Sequence, residues 1–372
     1  MSNVRPHTTY FRCSATNMNI TRRKLLLSSS LAPILASCGT DLRSYKTESI
    51  SDVAAVRGVC SATYATLSGG KIRRLEAVSG CAADQPPPID SVFQAASLTK
   101  PVVAYAVLQL ALAGQLDLRA PVSSFLPDGY RHFHSALARS VGDPSDLVSP
   151  STLSKIPLLT LLNHSSGLPN WSNRSLTLSF HPGERWQYSG EGYMMLQSVI
   201  EAVSGQSFSS YMDEHVFRPL SMRRSSLVWK QEYGANDQPG ATTIWSPRSA
   251  RFSYPVAAAS LHTTAEDYAH FLSALFANRR LLVETASASV SVAPNLGIEW
   301  GYGWGIEHSA RGANLWHWGN NPGFRSFAMI SCTTGDGFVV FTSSDKGMAL
   351  AVPIAYEVLP AEHNAFQFSM VG

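Results

Sequence analysis

The chain has 372 residues, of which 45% are hydrophobic and 15% charged, and its formal net charge is +3. This excludes a disordered chain and allows one large domain, or two intimate ones, around a buried core. Part of the positive charge sits at Arg5, Arg12, Arg22, Arg23 and Lys24, which leaves no basic footprint for nucleic acid in the rest of the chain.

In chain order, the first segment reads as an address. Arg22-Arg23-Lys24 precedes an apolar run that reaches Ala36, too short for a membrane-spanning helix. The paired arginines resemble a twin-arginine export signal. Leu35-Ala36-Ser37-Cys38 resembles a bacterial lipobox, which makes Cys38 the lipid-attachment residue. The alternative is an ordinary signal in which Cys38 is incidental. Two or more acyl chains suffice for a firm anchor. The expected location is therefore the bacterial periplasm or cell envelope, with membrane attachment through Cys38. Met18 is a second candidate start beside Met1. Residues 1–38 are expected to be the export signal, 39–50 a polar tether, and 51–372 the folded domain.

The domain opens with a hairpin pattern. Val59–Leu67 and Ile72–Val78 are strand-like, and Ser68-Gly69-Gly70 signals the turn. This pairing brings Cys60 near Cys81; export permits a disulfide, and two unpaired buried thiols are the equal alternative. Pro86-Pro87-Pro88 ends the unit. Leu98–Ala113 is apolar nearly all round and predicts a buried helix stopped by Gly114. Residues 127–155 read as a polar loop. Helical patterns follow at Leu158–Asn163, Tyr193–Ser204, Phe208–Val216 and Ala265–Ala277. Strand patterns follow at Gly301–Glu307, Asn314–Trp318, Phe324–Cys332 and Phe338–Ser343, and a last helix at Leu350–Val358. Strands at both ends with helices between predict an α+β fold. Its antiparallel sheet region is expected over about 51–110 and 250–372, with an all-helical lobe inserted over about 111–249.

Three short motifs carry chemistry. Ser97 and Lys100 lie three residues apart at a helix start, hence on one face. A serine needs a base to become a nucleophile. A lysine in apolar surroundings has a lowered pKa and can serve as that base. Tyr188, in Tyr188-Ser189-Gly190, is a second candidate base if it holds a phenolate. His317-Trp318-Gly319 lies on a late strand, followed by Asn320. Glycine there permits close approach of a substrate, and a following N–H can stabilise an oxyanion. His132-x-His134 falls in the polar loop without a third ligand in sequence, so no metal site is expected. There is no Gly-x-Ser-x-Gly and no phosphate or dinucleotide loop, so no cofactor is implied. Trp300, Trp304 and Trp316 read as core, and Trp318 as a candidate cleft residue.

In this order and spacing, these motifs resemble the serine β-lactamase and penicillin-binding protein family. The likeness is to its branch of class C β-lactamases, D-alanyl-D-alanine carboxypeptidases and esterases. Leu161-Leu162-Asn163-His164-Ser165-Ser166-Gly167-Leu168-Pro169 and Ser260-Leu261-His262-Thr263-Thr264 look like further family segments. The resemblance implies a β-lactamase/transpeptidase-like fold with the site between sheet and helical lobe. It implies that Ser97 is acylated and that Lys100 and Tyr188 handle its protons. It also implies that the N–H groups of Ser97 and Asn320 form the oxyanion hole. Two positions depart from it. Gly190 stands where the family usually has Asn, and His317 replaces the lysine of Lys-Thr-Gly while Gly319 keeps the glycine. Both changes weaken recognition of an amide and a carboxylate. The expected activity is a serine hydrolase acting on small carboxylic esters, then on D-amino-acid peptides or β-lactams. The alternative is a penicillin-binding-like lipoprotein that binds or is acylated by cell-wall peptides or β-lactams with little turnover. The expected partner is a small-molecule ester or peptide-like substrate.

Overall fold

The computed structural model describes residues 41–82, 85–135, 142–241 and 251–371. Cys38 and the whole export segment lie outside the described residues. From the N-terminal side the elements are α1 (Ile50–Arg57), β1 (Ala62–Ser68), β2 (Lys71–Val78), β3 (Phe93–Gln94) and α2 (Thr99–Leu112). Then come β4 (Tyr130–Phe133), β5 (Ser145–Val148), α3 (Pro150–Leu153), α4 (Leu158–Leu162), α5 (Gly190–Ser204) and α6 (Phe208–Met212). The C-terminal part gives β6 (His262–Thr263), α7 (Ala265–Ala277), α8 (Arg279–Ala286), β7 (Val290–Ala293), β8 (Ile298–Trp300) and β9 (Gly305–Ser309). It ends with β10 (Gly312–Asn321), β11 (Phe324–Ser331), β12 (Gly337–Thr342) and α9 (Ala351–Val358). No helix among the described residues is long and apolar enough to cross a membrane.

Eight strands form one sheet in the order β2-β1-β12-β11-β10-β9-β8-β7. Every neighbouring pair is antiparallel. The first strand pairs with the last, Ala62 opposite Thr342, so the two ends of the chain close one sheet and the middle of the chain is free to form helices. The β1–β2 turn is set by Gly69 and Gly70, with φ of 59° and 74°, values that an L side chain adopts only with strain. Cys60 and Cys81 are joined by a disulfide with Cα atoms 4.9 Å apart. With the two cysteines 21 positions apart in sequence, the crosslink contributes about 3 kcal/mol by chain entropy.

The sheet separates two apolar layers. One face packs against α7, and the same apolar layer continues through α2 and α5, joining Val102, Val103, Val107, Leu196 and Phe271 to Leu315 and Val339. The other carries Trp300, Trp316, Trp318 and Phe327 under α1 and α9. The alternation along β10 explains the split, since Leu315 and Trp316 point to opposite faces. Burial of α2 on all sides follows from its composition. Each fully buried Val or Leu contributes about 1.5–3 kcal/mol.

Four expectations change. The segment expected as a tether packs on the domain: Leu42 is buried, and Lys46 pairs with Glu362 at 2.9 Å. The loop expected over 127–155 contains the β4–β5 strand pair and α3. Its strands are only four residues long, too short for a clear alternation. α5 starts at Gly190 rather than Tyr193, because Ser189 caps it by accepting the Gly192 N–H at 2.9 Å. Trp318 is buried in the aromatic layer rather than lining a cleft; its ring centroid lies 5.9 Å from that of Phe368.

Candidate active site

Ser97 sits in a short 3₁₀ turn, Ala96–Leu98, that runs directly into α2. Ala96 has φ of 50°, a left-handed conformation that costs a non-glycine residue about 1–3 kcal/mol. Surrounding hydrogen bonds hold it there. Ser326 Oγ donates to the Ala95 carbonyl at 2.8 Å. Thr99 Oγ1 donates to the Ala96 carbonyl at 2.6 Å, and Tyr268 Oη donates to the Leu98 carbonyl at 3.0 Å. The Ala95 N–H donates to the Leu261 carbonyl at 2.7 Å, extending the β3–β6 pairing. The turn thus presents Ser97 from a fixed backbone.

Gly319 explains how the sheet reaches this turn. A Cβ at that position would run into Ser326 Oγ and the Ala95 carbonyl. The glycine admits the protein's own nucleophile turn against β10, where the sequence had pointed to a substrate. Asn320, the next residue, is exposed.

Lys100 is 1% exposed. Its Nζ lies 3.0 Å from Ser97 Oγ and donates to the Ala258 carbonyl at 2.7 Å. The same Nζ lies 4.8 Å from the centroid of the Tyr188 ring. Among the described residues no carboxylate offsets the loss of water, and burial pulls the ammonium down to about 7. The lysine is therefore poised near neutrality, next to the serine hydroxyl.

Tyr188 behaves differently. Burial pushes its hydroxyl well above the ordinary tyrosine value, and the nearby Ser97 hydroxyl only partly opposes the rise. Burial thus disfavours the phenolate and favours the protonated hydroxyl beside Ser97. His164 was not singled out by sequence reasoning. Its ring lies 4.4 Å from that of Tyr188, and its Nδ1 accepts the Ser189 N–H at 3.1 Å. Its φ of 59° is a second left-handed residue beside the site. No local pattern around His164 signals this, because the contact spans 25 positions.

His317 is fully buried. Its Nδ1–H donates to the Trp318 carbonyl at 2.7 Å. Burial and the neighbouring Lys100 charge hold it well below the ordinary histidine value, so it is neutral at physiological pH. Gly190 packs closely against another loop. Its N–H donates to Asn170 Oδ1 at 3.0 Å, and a Cβ there would stand 2.6 Å from the Asn170 carbonyl and 3.0 Å from the Trp171 ring. The space of the family's Asn side chain is thus taken by Asn170 and Trp171, neither of which the sequence reading had named.

The pair His132 and His134 is also different from expectation. It lies on and just after β4, and Asp146 on β5 supplies the third donor that the sequence seemed to lack.

Comparisons with known proteins bear on the family and the fold. The family model described as Beta-lactamase matches residues 52–362. Esterase EstB of Burkholderia gladioli is 30% identical over 294 residues, covering 63% of this chain and 70% of the esterase. Penicillin-binding protein 4* of Bacillus subtilis is 24% identical, covering 63% of this chain and 57% of that protein. Among solved structures, the D-alanine carboxypeptidase AmpC of Burkholderia cenocepacia superposes with a TM-score of 0.68 at 16% identity, over 86% of this chain and 99% of that one.

Proposed function

Because this chain belongs to the beta-lactamase family and is a serine hydrolase of that family, we propose that it hydrolyses small, uncharged carboxylic esters through an acyl-enzyme on Ser97. The observation that carries this reading is the neutral His317, fixed on its own strand at the position where the family holds a cation. A pocket without that cation gains nothing from a substrate carboxylate, and without the Asn amide it gains nothing from a side-chain carbonyl. An ester needs neither. The similarity to Esterase EstB supports the same class.

In the proposed mechanism the neutral amine of Lys100, 3.0 Å from Ser97 Oγ, takes the serine proton as Oγ attacks the ester carbonyl. The developing oxyanion is held by the N–H groups of Ser97 and Asn320. The protonated amine then returns the proton to the leaving alkoxide, directly or through the Tyr188 hydroxyl. Tyr188, kept protonated by burial, acts as a donor and relay. Water then attacks the acyl-enzyme, Lys100 takes its proton and passes it to the departing Ser97 Oγ, and the carboxylic acid is released with the serine hydroxyl and neutral amine restored. Lysine and tyrosine titrate as one unit in such a site.

A second reading is a penicillin-binding-like lipoprotein that is acylated with little turnover. It draws on Tyr188, since a hydroxyl with a raised pKa is a poor activator of the deacylating water. Intact mass spectrometry separates the two. With p-nitrophenyl butyrate, the ester reading expects steady release of p-nitrophenol, and no turnover in Ser97→Ala. A stoichiometric +70 Da adduct (one butyryl group, ~70 Da added per acylated hydroxyl) that persists after p-nitrophenol release stops would favour the second reading. We also propose export and lipid attachment at Cys38. Metabolic labelling with an alkynyl fatty acid, lost in Cys38→Ala, is the expected result.

A further inference from the structure

We propose that His132, His134 and Asp146 form a binding site for one divalent transition-metal ion, zinc by the chemistry of its donors, separate from the Ser97 pocket. The site follows from strand register. β4 and β5 are antiparallel with His132 directly opposite Asp146. His134 lies two residues on, hence on the same face. The His134 N–H donates to the Pro144 carbonyl at 2.9 Å, so the ladder continues past the strand end. The backbone thus brings the three side chains together before any ion binds.

One donor atom from each residue lies within 4.8 Å of the others. His132 Nδ1 is 3.0 Å and His134 Nε2 is 2.9 Å from the same oxygen, Asp146 Oδ1. Zinc bonds to imidazole and carboxylate run about 2.0–2.2 Å, which sets neighbouring donors of a tetrahedron about 3.3 Å apart. Reaching that size widens the two distances to Asp146 Oδ1 slightly and brings the two imidazole nitrogens, within 4.8 Å of one another, to the same spacing by rotation of the part-exposed His134 and Asp146 side chains. Two imidazoles and a carboxylate suit zinc better than calcium or magnesium, which take oxygen donors. His134 and Asp146 are 27% and 26% exposed, which gives the ion a path in and leaves water as fourth ligand.

The second observation is the far side of His132. This ring is 1% exposed, and its Nε2 faces Glu191 Oε1 at 3.4 Å, without a hydrogen bond of ordinary geometry. His132 thus stands between two carboxylates, with Nδ1 facing Asp146 Oδ1 and Nε2 facing Glu191 Oε1. With metal on Nδ1, the ring carries its proton on Nε2 and directs it at Glu191. Likewise the His134 proton moves to Nδ1 as Nε2 takes the ion. No redox change is involved. A carboxylate behind a ligating histidine is a recurrent device for fixing ring orientation and raising ligand basicity. Glu191 Oε1 also accepts the Ser172 N–H at 2.9 Å, and Glu191 lies in the first turn of α5. The ion would therefore staple the β4–β5 pair to the start of α5. The role is structural.

The test is zinc binding by tag-free full-length protein after chelator treatment, followed by competition against a chromophoric chelator, with Co2+ substitution as a spectroscopic check. The expected result is one Zn2+ per chain, a raised thermal midpoint, and a tetrahedral Co2+ absorption band. His134→Ala and Asp146→Asn should each weaken Zn2+ at least tenfold and abolish the band. Glu191→Gln keeps all three ligands and should weaken Zn2+ about tenfold. Circular dichroism and ester turnover of His134→Ala confirm that this variant is folded. Zinc that binds with equal affinity to wild type and His134→Ala, or less than 0.1 equivalent (~0.1 Zn2+ per chain at a saturating excess) in wild type, overturns the proposal.

Discussion

The two halves of the Ser97 pocket differ in how closely they resemble the family motifs. The half that makes and breaks bonds is tightly specified. Ala96 is held left-handed, Ser97 meets Lys100 at 3.0 Å, and the lysine is lowered to about 7 by burial. In the half where the resemblance places the family's substrate anchors, glycine stands for the asparagine and histidine for the lysine. His317 is neutral and tied to its own strand, and Gly190 is closed over by Asn170 and Trp171. The difference teaches that reactivity and recognition are separable here. A burial-tuned lysine keeps its function as long as no carboxylate comes near, whatever substrate lies opposite.

The largest effect should come from breaking the reactive half. Lys100→Met is expected to lower kcat/KM for a p-nitrophenyl ester by about 10³-fold or more. The same change should raise stability by about 1–2 kcal/mol, as buried active-site charges trade stability for activity. The sign can be worked out. The unfolded lysine titrates at 10.5 and the folded one at about 7. Between these values the unfolded chain binds more protons, so wild-type stability rises with pH. The advantage of Lys100→Met is then full below pH 7 and gone near pH 10.5. Denaturant midpoints at pH 6 and pH 10 measure it. In the wild type, kcat/KM should rise through about pH 7 as Lys100 loses its proton; a flat profile from pH 6 to 8.5 would show that another group is the base.

Gly319→Ala tests the joint between the halves. Its methyl group must displace the Ala95 carbonyl or Ser326, at a cost of about 3 kcal/mol. Thermal unfolding should show the loss, and the surviving folded fraction should be impaired in kcat more than in KM. A smaller effect is expected at the altered half. Gly190→Asn restores the family's residue but meets the Asn170 carbonyl. It should destabilise by about 1–3 kcal/mol without creating cephalosporin turnover. Gain of that activity in the single variant would show that the loop opposite yields, and that residue 190 alone sets the substrate class.

Much of the reactive half was legible in the sequence. A serine and a lysine three apart, in a helix apolar all round, leave the lysine few roles but chemistry. The antiparallel sheet closed by both chain ends was legible too, from the glycine-punctuated strands of the last third. The partners of the altered half were not. His164, Asn170 and Trp171 reach the site across about 20 residues of loop, the first two through side-chain acceptors for the Ser189 and Gly190 N–H groups and the third through its ring, contacts that no local spacing announces. Asp146 was hidden for a similar reason. Only the pairing of two four-residue strands places it beside His132 and His134. The setting of Tyr188 was not legible either, because sequence shows neighbours but not depth of burial, and burial dominates that hydroxyl.

The most direct test of the central claim is a side-by-side kcat/KM for p-nitrophenyl butyrate and for a butyrate-sized p-nitrophenyl ester ending in a carboxylate, such as mono-p-nitrophenyl succinate, with Ser97→Ala as control. The account predicts that both activities vanish in the variant. It predicts that the wild type prefers the uncharged ester by at least tenfold, about 1.4 kcal/mol. Equal or better turnover of the carboxylate ester would contradict it, because it would require a cation in the pocket where His317 stands neutral.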